Sequence, residues 1–363
     1  MMNKIIIAAA GGRKTQDIVD SCSVNHEVPH RCLVVTYTTT GQGEINRRLI
    51  KGVNENAVDV MGWYGFLLNH FIYPYLSDRY PSKKCKGLYF VEGADPSTYR
   101  RGEGRYFDDE GLVFSTRIGK LAYDILKASK GSVIDRLERI YNEIFFDEVQ
   151  DLTGNDLDIL EALMKSKIQI TAVGDIRQSI LTTTRNDQKN KQYKWLNKKL
   201  WFELMEKKGL CQIEHRTTTW RCNQLVIDFA DSIFPAAYEF PPTTSLQDEV
   251  TSHDGIFVVK RQNLERYLQC YNPQAYRHNI TAKVHPGTNA MNFKLCKGLT
   301  VPRVLIYPTG PINSFLLDSN NKLTGQSASE FYVAITRAVH SVAFVIDKDV
   351  SSYPIREWIP DSE

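Results

Sequence analysis

The residues of this chain whose types and spacing could do chemistry lie in a few short segments. Ala8–Thr15, AAAGGRKT, follows an apolar run and places two glycines before Arg13, Lys14 and Thr15. A glycine turn between a strand and a helix aims backbone N–H groups and the helix dipole at a phosphate. A Lys then neutralises charge, and a Ser or Thr hydroxyl holds Mg²⁺. Lys14 and Thr15 stand where those roles need them, with Gly11, Gly12 and Arg13 forming the turn. The pattern G-x-x-x-x-G-K-[ST] is broken twice, because Ala8 and Arg13 occupy its two fixed glycine positions. A plain strand–turn–helix is the alternative reading, and Arg13 puts a side chain where a phosphate cradle needs room.

Phe145–Asp151, FFDEVQD, ends an apolar strand in two adjacent acids, Asp147 and Glu148. At the C-terminal end of a parallel strand such acids face the ligand crevice of an α/β sheet. One carboxylate can hold Mg²⁺ while its neighbour polarises a water for attack on a γ-phosphate. The alternative is a pair of acids capping the next helix. Val173–Gln178, VGDIRQ, sets Gln178 at another strand end, either to sense a γ-phosphate or as part of an ordinary polar turn. Arg216, in EHRTTTWRCNQLVIDFAD, and Arg337, in FYVAITRA, each sit at the edge of a helix. They read singly as surface ion-pair residues and together as paired arginine fingers. Lys297–Thr300, KGLT, runs into the apolar strand VPRVLIY and is otherwise a simple glycine turn.

These segments need a scaffold that brings strand ends together. Strands are expected at Lys4–Ala9, Cys32–Tyr37, Ile144–Asp147, Ile168–Val173, Val301–Tyr307 and Ser341–Ile346, with helices at 43–50, from Met61 to Pro74, at 133–142, 155–164 and 328–336. Strands alternating with helices call for a parallel sheet with crossover helices. The expected organisation is a first core over residues 1–75 and 131–209, interrupted by a small accessory insertion at 76–130. A second core follows at 210–350, with a small insertion near 240–290 and a C-terminal tail at 351–363.

Composition sets bounds on this reading. The chain has 363 residues, 42% hydrophobic and 24% charged, with a net charge of +3, which suits two or three globular domains. Eighteen Tyr, 16 Phe and 5 Trp exclude disorder as the main state. The apolar run Ile5–Ala10 is far short of a membrane span or a signal-peptide core. Seven scattered cysteines with no C-x-x-C argue against a disulfide framework and a structural zinc site, and suit a cytoplasmic protein. Residues 185–208 carry eight Lys/Arg against three acids, readable as a nucleic-acid surface or as a solvated helix face.

In this order, over residues 3–348, DEVQD, VGDIRQ, the HR segment, KGLT and YVAITRA resemble the superfamily 1 DNA helicases of the UvrD/Rep type. The resemblance implies two RecA-like parallel-sheet cores with reduced accessory insertions, and ATP with Mg²⁺ bridging the two. Lys14 and Thr15 would bind the β/γ-phosphates, with Thr15 and Asp147 on Mg²⁺ and Glu148 as general base. Gln178 would read the γ-phosphate, and Arg216 and Arg337 would stabilise the charge developing there. His215 stands where the family has a Tyr stacking on adenine. Thr36 and Thr38 in TYTTTGQGE, Trp63 and Lys297 are the implied DNA contacts.

The sequence also departs from the family. The residues before Ala8 contain no counterpart of its adenine-reading Gln. ILTTTRND follows Ser179 in place of an aromatic–Arg pair, and Thr300 replaces a Glu. FLL…P, DEVQDL and KGLT…YPT further resemble the UvrD-like subunit of Gabija-type anti-phage systems, which works beside an OLD-type nuclease. The expected function is an ATP-dependent, DNA-stimulated single-strand translocase or helicase acting on single-stranded DNA or on duplex with a single-stranded end. The alternatives are a nucleotide- or DNA-sensing subunit that gates a partner nuclease, and a binding protein that has lost hydrolysis.

Overall fold

The computed structural model describes residues 2–23, 30–49, 58–183, 188–350 and 353–360. The chain forms two compact units. The first comprises Met1–Ile7, Lys14–Ile176 and Leu181–His215, and the second Ala8–Arg13, Arg177–Ile180 and Arg216–Glu363.

The first unit is built on strands β1 (Lys4–Ala8), β2 (Cys32–Thr36), β3 (Val58–Gly62), β4 (Glu143–Phe146), β5 (Gln169–Gly174) and β6 (Gln212–Arg216). Their lateral order is β3-β2-β4-β5-β1-β6. From β3 to β1 every pairing is parallel, with Val35 beside Phe146, Phe146 beside Ala172 and Val173 beside Ile6. Parallel strands are covered on both faces, so they read as unbroken apolar runs, and CLVVT in β2 is buried throughout. The C-terminal ends of β1, β4 and β5 therefore reach one edge of the sheet, the edge where α/β proteins bind ligands.

The second unit holds β7 (Gly255–Val259), β8 (Gln274–Arg277), β9 (Ala290–Asn292), β10 (Val301–Ile306), β11 (Ala338–Val345) and β12 (Arg356–Glu357). They lie in the order β9-β8-β10-β11-β7-β12 and are parallel throughout. The expected α/β class with two parallel-sheet cores is what the chain adopts.

Five expectations about boundaries need correction. Met61–Pro74 does not end its helix at the proline. A π-helical turn, Leu68–Ile72, resets the hydrogen-bond ladder, and Pro74 falls in the first turn of a fresh segment, Tyr73–Arg79, where its missing N–H costs nothing. The insertion 76–130 is too long. Helix Ile118–Ala128 buries Ile118, Leu121, Ala122 and Ile125, and its Gly119 lies against Asp156 of helix Asn155–Met164, so it belongs to the core.

The boundary near 210 moves to 215/216. Strand β6 closes the first sheet, tied by Asn3, whose side chain donates to Met164 O and Leu210 O, each at 2.8 Å, and by the ion pair Lys4–Glu214 at 3.0 Å. The second insertion, 240–290, contains β7, buried along its whole length, and β8, so most of it is core. The tail likewise contributes β12 to the sheet edge.

Candidate functional site

In the first unit, β4 ends at Phe146 and delivers Asp147 and Glu148 to the ligand edge. The Asp147 backbone N–H donates to Val35 O at 2.8 Å, and its Oδ1 accepts the Glu148 N–H at 3.0 Å, which fixes the carboxylate. Glu148 adopts a left-handed backbone (φ 57°, ψ 40°), a conformation that costs a non-glycine residue on the order of 1 kcal/mol and that clusters at functional sites.

Gln150, fully buried, explains the fourth letter of DEVQD. Its amide N–H donates to Glu148 Oε2, and its Oε1 accepts the Asp175 N–H at 3.1 Å. It links the acids after β4 to the VGD turn after β5. Gly174 is glycine because a Cβ there would collide with Gln150 Oε1. Gln150 is not among the residues expected from the sequence, although its place between Glu148 and Asp151 is a signal. Lys14 and Thr15 open helix α1 (Lys14–Cys22), whose first-turn N–H groups have no intrahelical acceptors.

Lys198 was also missed, as one cation among the basic run 185–208, whose first residues lie partly outside the described ones. It is fully buried, and its ammonium donates to Leu152 O just beyond DEVQD. Burial pulls it down to about 7, opposed by the carboxylates of Asp151 and Asp156. Elsewhere in the run Lys189, Lys199 and Lys208 pair with Asp158, Glu203 and Glu161, so much of its charge is matched.

A lysine whose native pKa lies below its unfolded value binds fewer protons when folded. Its contribution to stability therefore rises with pH above about 7, at up to roughly 1 kcal/mol per pH unit. The stability difference between wild type and Lys198→Met, measured by urea unfolding from pH 7 to 8.5, is expected to rise by roughly 1.5 kcal/mol over that range. Taking the difference cancels the buried thiols, which titrate the other way.

In the second unit, Ala8–Arg13 forms a tight turn in which Gly12 N–H donates to Ala9 O at 3.0 Å and Ala9 N–H donates to Arg216 O at 3.0 Å. Thr219 Oγ1 donates to Ala10 O at 2.7 Å, and Trp220 N–H to Gly11 O at 3.1 Å. Gly11 has φ +72°, and a Cβ on it would stand 2.6 Å from Arg221 Cβ and 2.7 Å from Thr219 Oγ1. Gly11→Ala should therefore lower stability by about 1–3 kcal/mol, read as a falling Tm. Arg13 stands at φ 55°, in the conformation that the glycine of the usual pattern adopts freely. Its guanidinium lies 4.7 Å from the Trp220 ring centre, a cation–π contact that occupies the side chain otherwise expected to crowd the turn.

Arg337 is 1% exposed, not a surface ion-pair residue. Its Nε donates to Val333 O at 2.9 Å, Nη1 to Leu299 O at 3.3 Å, and Nη2 to Thr336 Oγ1 at 3.2 Å and to Gln178 Oε1 at 3.3 Å. The fold thus joins two predicted site residues that are 159 positions apart. Arg216 is half-buried at the end of β6, next to the exposed His215.

The DNA-contact residues fare less well. Trp63 is 1% exposed and packs on Phe66 and Phe146, so it offers no face to a base; its place is in the core. Thr36 is equally buried, at the end of β2 beneath Gly41. The half-buried Thr38 accepts the Gly41 N–H at 3.0 Å. Lys297 is half-buried in the KGLT turn. The ring that this helix start leaves partly accessible is Tyr64, in edge contact with Tyr37 and with Phe90, which is 66% exposed. Among the described residues, no helix is long and apolar enough to cross a membrane.

Residues 106–191 match the family model described as the UvrD/REP helicase N-terminal domain. No curated protein matches the chain. Among solved structures it is similar to Arterivirus nonstructural protein 10 (helicase), at 14% identity and TM-score 0.47, over 96% of this chain and 60% of that one. It is also similar to the same helicase in complex with DNA, at 14% identity and TM-score 0.45, over 96% and 61%. The chain spans about 60% of the length of those helicases. The stretch similar to the UvrD/REP helicase N-terminal domain is the one that carries Asp147, Glu148, Gln150 and Gln178.

Proposed function

We propose that the chain is an ATP-dependent, DNA-stimulated single-strand translocase or helicase of the UvrD type. One observation carries this reading: in the first unit, Asp147–Glu148 and Lys14–Thr15 both follow the C-terminal ends of parallel strands, with only β5 between those strands. Thr15 and Asp147 form an all-oxygen donor set, which suits Mg²⁺, and would hold the ion. When bound, Mg²⁺ neutralises charge on the β- and γ-phosphates.

Lys14 adds a positive charge at the start of α1, where the helix dipole also favours phosphate. Glu148, oriented by the Gln150 amide, accepts the proton of the attacking water. Gln178 and Arg337 respond to the γ-phosphate as a hydrogen-bonded pair, and Arg216 supplies the second positive charge. Gly11, Gly12 and Arg13 shape the phosphate turn, His215 contacts the base, and Thr38 and Lys297 contact DNA phosphates.

Steady-state ATP hydrolysis by the full chain, with and without a single-stranded oligonucleotide, tests the proposal. Turnover stimulated by DNA is expected. ATP binding without turnover under either condition would favour the sensing subunit that gates a nuclease. The residue pattern alone supports the Gabija-type reading with an OLD-type nuclease partner in the cytoplasm, and co-purification from the native host tests it.

A further inference from the structure

We propose that His30, Cys32 and Glu143 form a three-donor binding site for a thiolate-accepting divalent cation, Zn²⁺ first, with the neighbouring Cys22 available as a fourth donor. Among the described residues, this is the one group of three or more His, Cys, Asp and Glu side chains with metal-ligand proximity. The donor atoms of His30, Cys32 and Glu143 all lie within 4.8 Å of one another. His30 Nε2 stands 3.7 Å from Glu143 Oε2. Bonds of about 2.0–2.3 Å around a tetrahedral ion put neighbouring ligand atoms roughly 3.3–3.8 Å apart, so that edge is already in place. Cys22 is buried at the end of α1 and interacts with Cys32, but it lies outside the group of mutually close donor atoms, so its side chain would shift to complete the coordination.

The surroundings fit a built site. The other carboxylate oxygen of Glu143, Oε1, accepts the Thr171 hydroxyl at 3.0 Å, the kind of outer contact that aims a ligand. Arg31, between the His and Cys donors, is fixed to the residue before Glu143. Its N–H donates to Asn142 Oδ1 at 2.8 Å, and its carbonyl accepts the Asn142 N–H at 2.9 Å. Both cysteines are buried thiols. The mixed Cys/His/carboxylate set suits Zn²⁺ better than Mg²⁺ or Ca²⁺, which take oxygen.

This site is separate from the nucleotide residues. It stands at the N-terminal ends of β2 and β4, whereas Asp147 follows the C-terminal end of β4. Cys22, the available fourth donor, is the last residue of α1, the helix that Lys14 begins. An ion that recruited Cys22 would pin the far end of that helix to two strands.

Cobalt(II) titration of the full chain, purified reduced and metal-free, tests the proposal independently of any ATPase. One equivalent should bind with a thiolate-to-cobalt charge-transfer band that Zn²⁺ abolishes. His30→Gln, at the sheet edge, should weaken binding by about 100-fold or more, and Thr171→Val by about 10-fold, since outer-shell changes alone cost about 10–100-fold. The exposed Cys270 should be replaceable by Ser without effect. The proposal is overturned if no thiolate band forms, or if binding is unchanged in His30→Gln with circular dichroism showing a native fold. A Cys22–Cys32 disulfide with no cobalt uptake after reduction would also overturn it, in favour of a redox pair.

Discussion

If Glu148 is the proposed general base, Glu148→Gln is expected to bind ATP with near wild-type affinity and to turn it over about 10²–10⁴-fold more slowly, the usual contribution of such a group. The substitution is chosen so that nothing else changes. Glutamine has the same length, tolerates the left-handed backbone of Glu148 no worse, and can turn its amide oxygen towards the Gln150 N–H that now meets Oε2. Urea unfolding should therefore place the variant within about 1 kcal/mol of wild type. Retained turnover in a protein that still binds DNA and nucleotide would move the proton acceptor elsewhere and take the hydrolysis mechanism with it.

For Arg337→Ala, two losses are expected, and the structure says how to separate them. Its guanidinium serves the Val333 and Leu299 carbonyls, Thr336 Oγ1 and Gln178 Oε1 in a buried setting. Leaving a buried acceptor without a donor costs about 1–3 kcal/mol, so several together approach the whole stability of a domain. If the arginine also meets the γ-phosphate, kcat falls by about 10³–10⁵. Arg337→Lys divides the two effects. An ammonium can reach a carbonyl but cannot fork to several partners, so Tm should recover in part while kcat stays low. Recovery of both together would mark a scaffold residue. Gln178→Ala removes one partner of the pair, at about 1 kcal/mol, and should lower kcat more than it lowers Tm.

Much of the scaffold could be read from the chain because its signals are local. Runs such as KIIIA, CLVVT and EIFF are apolar without alternation, as strands buried on both faces must be. Asn155–Met164 falls on the expected helix residue for residue. The misjudged segments are those where a local rule met a tertiary one. Pro74 looked like a stop but sits after a π turn. Residues 118–128 followed a polar, charged stretch and looked like insertion, yet their apolar face is packed into the core.

The kinds of polar groups gathered at the strand ends were set by the order of residues alone, because a glycine turn and a strand-end carboxylate are defined by near neighbours. What faces what was settled only by packing. Trp63, promising as a stacking ring, is sealed under Phe66 and Phe146, and Lys198, one cation in a basic run, is buried beneath the DEVQD loop. Gln178 meets Arg337 across 159 positions, and Glu143 meets His30 across more than a hundred. Exposure and proximity depend on which distant segments cover a residue, and no window of local sequence contains that information.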